Sequence, residues 1–341
     1  MHTRLWFIAF CAALVHGAAG QAPTLVGPQV GLLVDSASGS VRPVQGILGG
    51  ATIGPPLAGG VSLSGGVASP RGDYVLGIGV EDQELWLAQP GPVGFLSAAP
   101  VPAAMRAAGR IVLSPAGSHA LLFNVETRSL QVLSGLPLLA AVSREIDLSS
   151  VQGLVTALAV SEDGNTVMVA LSGETEGFLY RFTPQEFASP VTPVSRISAM
   201  AFSRAGDVVA ADAGANAVML IRDAAASAII IPLAGQNGGI DSPVGVGISE
   251  DGTAAYVANA GSGSVMILDL AGGAPQSIPC PCSLTTLQPV GAGAFRLTDA
   301  LNEAVWFLDV GATGPRVAFV PPPQAAGRID IRVGRRRPQL D

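Results

Sequence analysis

The sequence predicts an all-β fold, a β-propeller counted as seven four-stranded blades, with six as the alternative. Three observations predict it. A turn glycine recurs at Gly72, Gly117, Gly164, Gly206, Gly252 and Gly291, at spacings of 45, 47, 42, 46 and 39 residues. A period of about 40–50 residues with several short strands per unit belongs to sheets stacked radially around an axis. The stretch SEDGTAAYVANAGSGSVMILDLAGG, Ser249 to Gly273, shows what a unit holds: a turn, a short apolar run, a small-residue loop and a second apolar run. Composition agrees. With 43 Gly and 26 Pro in a chain that is 49% hydrophobic and 13% charged, the apolar residues fall into short, frequently interrupted strands.

Taken in order, residues 1–20 read as an export signal. Arg4 gives the positive start, Leu5 to Val15 is almost wholly apolar, and Ala18-Ala19-Gly20 offers a small-residue cleavage site before Gln21. The apolar run is shorter than the about 20 residues that a spanning helix needs; a retained anchor is the alternative. The mature chain is therefore expected to be secreted or periplasmic, without a transmembrane span.

A degenerate unit, QVGLLVDSASGSVRPVQGILGGATIG, starts at Gln29; it has the second strand, small-residue loop and third strand but lacks the Asp-Gly turn. Six fuller units begin at Ala68, Leu113, Val160, Phe202, Ser249 and Pro289. In each, a first strand such as VTALAVS reaches the turn and a second such as TAAYVAN leaves it. A third such as SVMILDL follows the loop, and a weaker outer strand such as QSIPC ends the unit. Glycine at the turn supplies the positive φ of a tight hairpin. One such sheet cannot bury both faces, and radial neighbours do so. The last unit owns all its strands, ending in PRVAFVP, so no shared closing blade is visible. The propeller is bounded at 21–323. The tail, 324–341, has five arginines in its last fourteen residues. It reads as a solvated, disordered terminus, or as an electrostatic arm toward acidic polymers or the cell surface.

The stretch from Ser249 resembles the YVTN-type β-propeller repeat: Ser-Pro-Asp-Gly, then Tyr-Val-x-Asn, then a Val-x-Val-Ile-Asp-like strand. Tyr256-Val257-Ala258-Asn259 and Val265 to Asp269 carry the match, and the other units keep the turn and the hydrophobic pattern but lose the tyrosine. The resemblance implies the fold over nearly the whole mature chain. It is also similar, at repeat level, to seven-bladed lactonase families. Function does not follow, because propellers host binding modules, scaffolds and enzymes alike.

Several chemistries are excluded by residue type. The 18 basic residues are all arginine, which removes Schiff-base lysines and a P-loop. His2 and His16 lie in the signal, leaving His119 as the one mature histidine, so a multi-histidine metal site is impossible within one chain. A Ser-His-acid triad would have to use His119, which is read instead as a turn or strand residue. The net charge of −7 becomes one unit more negative without Arg4, which argues against nucleic acid as a partner. The mean hydropathy of +0.48 reflects small apolar residues rather than a later membrane span.

The loops between second and third strands carry Asp35, Glu81, Asp82, Glu84, Glu126, Glu174, Glu176, Asp212, Asp299 and Glu303, against Arg128 alone. Ring closure would gather these acids on one rim, either as a plain solvated surface or as a face for a cation or a basic ligand. Asp212, Asn259, Asp299 and Glu303 are the rim residues placed for such a ligand. Calcium is the candidate ion, although no calcium-loop motif is present. Cys280 and Cys282 are candidates for a local disulfide in an exported chain; two thiolates alone do not complete a zinc site. Arg71-Gly72-Asp73 spells an integrin-type tripeptide but occupies the turn position, and is read as a turn. The expectation is a non-catalytic binding or scaffold module with a protein or cell-surface partner. A lactonase- or hydrolase-like enzyme with a cation at the funnel mouth is the alternative.

Overall fold

The recurring glycines do what the pattern requires. All six adopt positive φ, and at Gly252 the value is +72°. Its N–H donates to the Ser249 carbonyl at 2.9 Å, and Ser249 Oγ receives the N–H groups of Thr253 and Ala254. A hairpin follows in which Tyr256, Val257 and Ala258 pair antiparallel with Ile267, Met266 and Val265. The computed structural model describes residues 27–322, apart from 92, 93, 175, 292, 300, 302, 312 and 313. The expected signal, 1–20, and the arginine-rich tail, 324–341, lie outside the described residues.

Seven antiparallel sheets form the ring of a β-propeller. Blade 1 holds β1 (Gln29–Asp35), β2 (Ser40–Gln45) and β3 (Thr52–Ile53). Blade 2 holds β4 (Leu63–Ala68), β5 (Val75–Gly79), β6 (Leu85–Pro90) and β7 (Phe95–Pro100). Blade 3 is β8 (Arg110–Leu113), β9 (Ala120–Asn124), β10 (Ser129–Ser134) and β11 (Ala141–Asp147). Blade 4 follows with β12 (Leu154–Val160), β13 (Val167–Ser172), β14 (Gly177–Phe182) and β15 (Ser189–Val194). Blade 5 comprises β16 (Ile197–Phe202), β17 (Val208–Asp212), β18 (Ala217–Arg222) and β19 (Ile229–Ala234). Blade 6 contains β20 (Pro243–Ile248), β21 (Ala254–Asn259), β22 (Ser264–Asp269) and β23 (Gln276–Pro279). Blade 7 completes the ring with β24 (Gln288–Gly291), β25 (Ala294–Arg296), β26 (Val305–Asp309) and β27 (Arg316–Val320).

Six sheets have the expected four strands; blade 1 has three among the described residues. The reason is the missing turn in the first unit. The carbonyl of Gly39, in the β1–β2 loop, accepts the N–H of Leu63 at the start of β4. Gly31, near the start of β1, abuts Val290 near the end of β24. β1 therefore runs as a second strand, against the direction of the inner strands on either side.

Side chains alternate across each sheet, so both faces of a blade are apolar and pack on its neighbours. Val30, Leu33 and Val44 of blade 1 pack with Val305, Phe307 and Val320 of blade 7. This contact closes the ring among the described residues. Arg316 Nη2 adds a hydrogen bond to the Leu48 carbonyl at 3.1 Å. The inner strands β4, β8, β12, β16, β20 and β24 wall a central channel of about 1280 Å³, to which blade 1 contributes no lining residue. One end of the channel is ringed by the glycine turns and the other by the loops between second and third strands.

Candidate functional site

At the loop end, the second strand of a blade delivers its last residue beside the connector arriving from the previous blade. Asp212 ends β17 and is 2% exposed. One carboxylate oxygen accepts the N–H of Ser195 at 2.7 Å. The other accepts those of Arg196 and Gly214, both at 2.9 Å, and Ala215 at 3.0 Å. Asn259 ends β21 and is fully buried. Its amide donates to the Gly239 carbonyl at 3.1 Å, and its oxygen accepts from the Asp241 N–H at 3.3 Å. Both side chains clasp the backbone of the inbound connector, which uses the groups a ligand would need.

Asp299 and Glu303 are exposed instead. Asp299 lies beside Arg296, whose guanidinium donates to the Thr298 carbonyl at 2.6 Å and to the Asp299 carbonyl. Two of the four rim residues are thus buried and bonded inward while two face solvent. Among the described residues, no group of three His, Cys, Asp or Glu side chains is placed to hold a metal ion.

The remaining loop acids are also locally engaged or dispersed. Burial acts to raise the pKa of Asp35, but the Ser38 hydroxyl, the N–H groups of Ser38 and Ala37, and Arg42 hold it below the ordinary value. The N–H of Glu84 holds Asp82 below its ordinary value against slight desolvation, aided by Trp86 Nε1. Glu84 pairs with Arg106. Glu81, Glu126, Glu174 and Glu176 are exposed. Arg128 donates to the carbonyls of Val151 and Gly153, at 2.6 and 2.9 Å, and so ties blade 3 to the connector of blade 4.

At the turn end, polar side chains join successive blades. The fully buried Tyr74 donates its hydroxyl to the Gly117 carbonyl at 2.6 Å. Ser118 Oγ donates to Glu162 Oε1 at 2.6 Å and lies 2.9 Å from His119 Nδ1. The His119 ring lies against Gly164, where a Cβ would sit 2.4 Å from its Cδ2. His119 is therefore a packing residue between blades 3 and 4. In the tripeptide at the first turn, Asp73 accepts from Ser69 Oγ at 2.5 Å and pairs with Arg71 at 3.1 Å. Cys280 and Cys282 are joined by a disulfide, with Cα atoms 5.2 Å apart.

The channel itself is lined by small apolar residues such as Val112, Ala157, Ala199 and Val246, interleaved with polar ones such as Thr156, Ser198, Thr286 and Gln288. Its charged lining residues come from the two ends. Arg110 opens β8 at the loop end, whereas Arg71, Arg204, Glu250 and Asp251 belong to the turns. Arg204 pairs with Glu250 of the next blade at 2.9 Å.

These features sit on a widely shared frame. A functionally unknown protein from Desulfotomaculum acetoxidans superposes with a TM-score of 0.59 at 12% identity, over 86% of this chain and all of that one. Kuenenia stuttgartiensis hydrazine synthase gives 0.55 at 13%, over 90% of this chain and 99% of the other. Virginiamycin B lyase from Staphylococcus aureus gives 0.54 at 10%, over 87% and 89%. What they share with this chain is the propeller fold. No family model and no curated protein matches the sequence.

Among the strand-end clasps, Asn124 escaped the sequence reading, as did Tyr74, Ser118 and Glu162 at the turn end. Asn124 ends β9 as Asp212 ends β17, with its oxygen accepting from Glu126 and Thr127 and its amide donating to the Arg106 carbonyl. Its signal was positional: Asn124 and Asn259 each lie seven residues beyond a turn glycine, and Asp212 six beyond.

Proposed function

We propose that the chain is an exported, non-catalytic binding or scaffold propeller that engages its partner or ligand at the central channel. The observation that carries this reading is the division of labour among its polar side chains. Asp212, Asn259, His119, Ser118 and Glu162 are spent on joining blades and connectors. The 1280 Å³ channel mixes small apolar side chains with polar surface, among it Thr156, Ser198, Thr286 and Gln288, and carries charges at its two ends. A concave space with some polar groups not spent on joining blades suits binding.

The enzyme alternative needs acids converging with a base, and the separate environments of Asp212, Asn259 and Asp299 give it no support. The disulfide between Cys280 and Cys282 fits an oxidising compartment, as does the export segment read from residues 1–20. The YVTN-type resemblance is carried by blade 6, whose Tyr256 and Asn259 are both buried structural residues.

Ligand-observed NMR with a fragment library tests the site. Fragments that bind the wild type should compete with one another and lose binding in Ala199→Arg, which fills the channel. Binding that survives in a folded Ala199→Arg protein would move the site away from the channel.

A further inference from the structure

Five charged side chains line the channel: Arg71, Arg110, Arg204, Glu250 and Asp251. Four of them are engaged at the turn end. Arg71 pairs with Asp73 at 3.1 Å, and Arg204 with Glu250 at 2.9 Å. Asp251 accepts from the hydroxyls of Ser249 and Thr253, at 2.6 and 2.9 Å. Arg110, the first residue of β8, differs. Its Nη1 donates to the Thr156 carbonyl of blade 4 at 2.8 Å, yet among the described residues no carboxylate lies within 4.0 Å of it. That one bond holds the guanidinium at the loop-end mouth, so part of its freedom is lost before a ligand arrives.

The uncharged polar lining divides in the same way. Thr156 Oγ1 donates to the Ala170 carbonyl at 3.3 Å, and Ser198 Oγ to the Pro243 carbonyl at 2.6 Å. On the blade 7 side, the Thr286 hydroxyl and the Gln288 side-chain amide have no hydrogen-bond partner among the described residues. The loop acids do not neutralise Arg110 either. Asp35, Asp82 and Asp212 accept from neighbouring N–H groups, and Glu84 is taken by Arg106.

Building on the channel reading above, we propose that the loop end of the channel binds a small organic acid as its monoanion. Its carboxylate pairs with Arg110, whose planar fork of N–H donors matches a carboxylate. An uncharged polar group elsewhere on the molecule meets Thr286 or Gln288, and the small side chains of Ala157 and Ala199 leave room for its body. A cation or a zwitterion would find no unengaged acid among the lining residues. A dianion such as a phosphate monoester would bring a second charge where the lining offers one free guanidinium. Arg196, also exposed and without a carboxylate within 4.0 Å among the described residues, does not line the channel and serves as a control.

Three probes that share one ring and differ in charge test this: para-hydroxyphenylacetate, its primary amide and tyramine. In NMR titrations at constant ionic strength, the anion should bind roughly tenfold or more tighter than the amide, with tyramine weakest. Arg110→Gln should bring the anion to the affinity of the amide and leave the amide unchanged, whereas Arg110→Lys should keep part of the preference. Arg196→Gln should change neither. Thr286→Val with Gln288→Leu should weaken the anion and the amide alike. Equal affinity for the three probes overturns the proposal, as does an anion preference that survives Arg110→Gln. If Ala199→Arg still abolishes binding in either case, the channel reading stands without the ligand class. Binding that survives in a folded Ala199→Arg protein overturns both. Failure of all three probes to bind at millimolar concentration overturns the proposal as well.

Discussion

Arg316 in the last outer strand donates to the carbonyl of Leu48 in the first blade, 268 residues away in sequence, at 3.1 Å. The same guanidinium pairs with Asp309 at 2.9 Å, so it is held in place by its own hairpin. Because Arg316 is half exposed, its contribution is modest. Arg316→Ala should lower unfolding free energy by about 1 kcal/mol in urea titration. A loss of several kcal/mol would mean that the blade 7 to blade 1 contact depends on this bond rather than on apolar packing.

Asp212 and Asp299 should respond unequally to removal. Asp212→Ala leaves four backbone N–H groups without their acceptor in a buried setting. The expected cost is about 3 kcal/mol. Asp299→Ala alters an exposed side chain and should stay within about 0.5 kcal/mol. Equal effects in thermal denaturation would contradict the clasp assigned to Asp212.

Gly252 isolates the cost of backbone conformation. A Cβ added there meets nothing within 4 Å, so any penalty comes from φ +72° and not from a clash. Gly252→Ala should destabilise by about 1 kcal/mol, and the β-branched Gly252→Val by more. Calorimetry that places either variant at wild-type stability would count against a strained turn.

Tyr74→Phe removes a single hydroxyl and leaves the Gly117 carbonyl without its partner across the blade 2 to blade 3 seam. Burial holds the phenol well above the ordinary tyrosine value, so the group stays a neutral donor throughout the stable range. The variant should lose about 1–2 kcal/mol. An unchanged melting curve would show that the seam rests on apolar contacts alone.

Acid should weaken the turns. At Asp163, burial acts to raise the pKa, but the Ser161 hydroxyl and the Asn165 N–H and side-chain amide outweigh it and hold it below the ordinary value. The Ser249 hydroxyl and then Thr253 do the same for Asp251. A carboxyl with a lower pKa folded than unfolded stabilises the fold above its unfolded value, about pH 4. That stability is lost as pH falls through the folded value. The melting temperature should therefore hold steady above about pH 5 and decline below pH 4. The decline should be shallower in Asp163→Asn with Asp251→Asn.

The seven-unit ring was legible because its signals are local. A left-handed turn selects glycine, and a strand buried on both faces selects a run such as Val167 to Leu171. The rim was not legible. A side chain at a strand end turns toward solvent or toward backbone according to where the previous blade's connector passes. Asp212 meets the N–H groups of Ser195 and Arg196, which leave no mark in side-chain chemistry, whereas Asp299 meets solvent. Blade 1 was legible in part: its unit reads as a second strand, a loop and a third strand without the turn, and the neighbours of β1 at Leu63 and Val290 agree, whereas the count of four strands does not hold there among the described residues.

The packing of blade 1 on blade 7 also orders events in time. Val30, Leu33 and Val44 are synthesised before the blades between them and their partners, and Val305, Phe307 and Val320 after those blades. At about 5–20 residues per second, their partners follow by roughly 15–60 s. Each middle blade can settle against a neighbour soon after it emerges, because its contacts are close in sequence. The face of blade 1 has no such early companion. It is the surface that a nascent or exported chain must keep from self-association until the circle is complete.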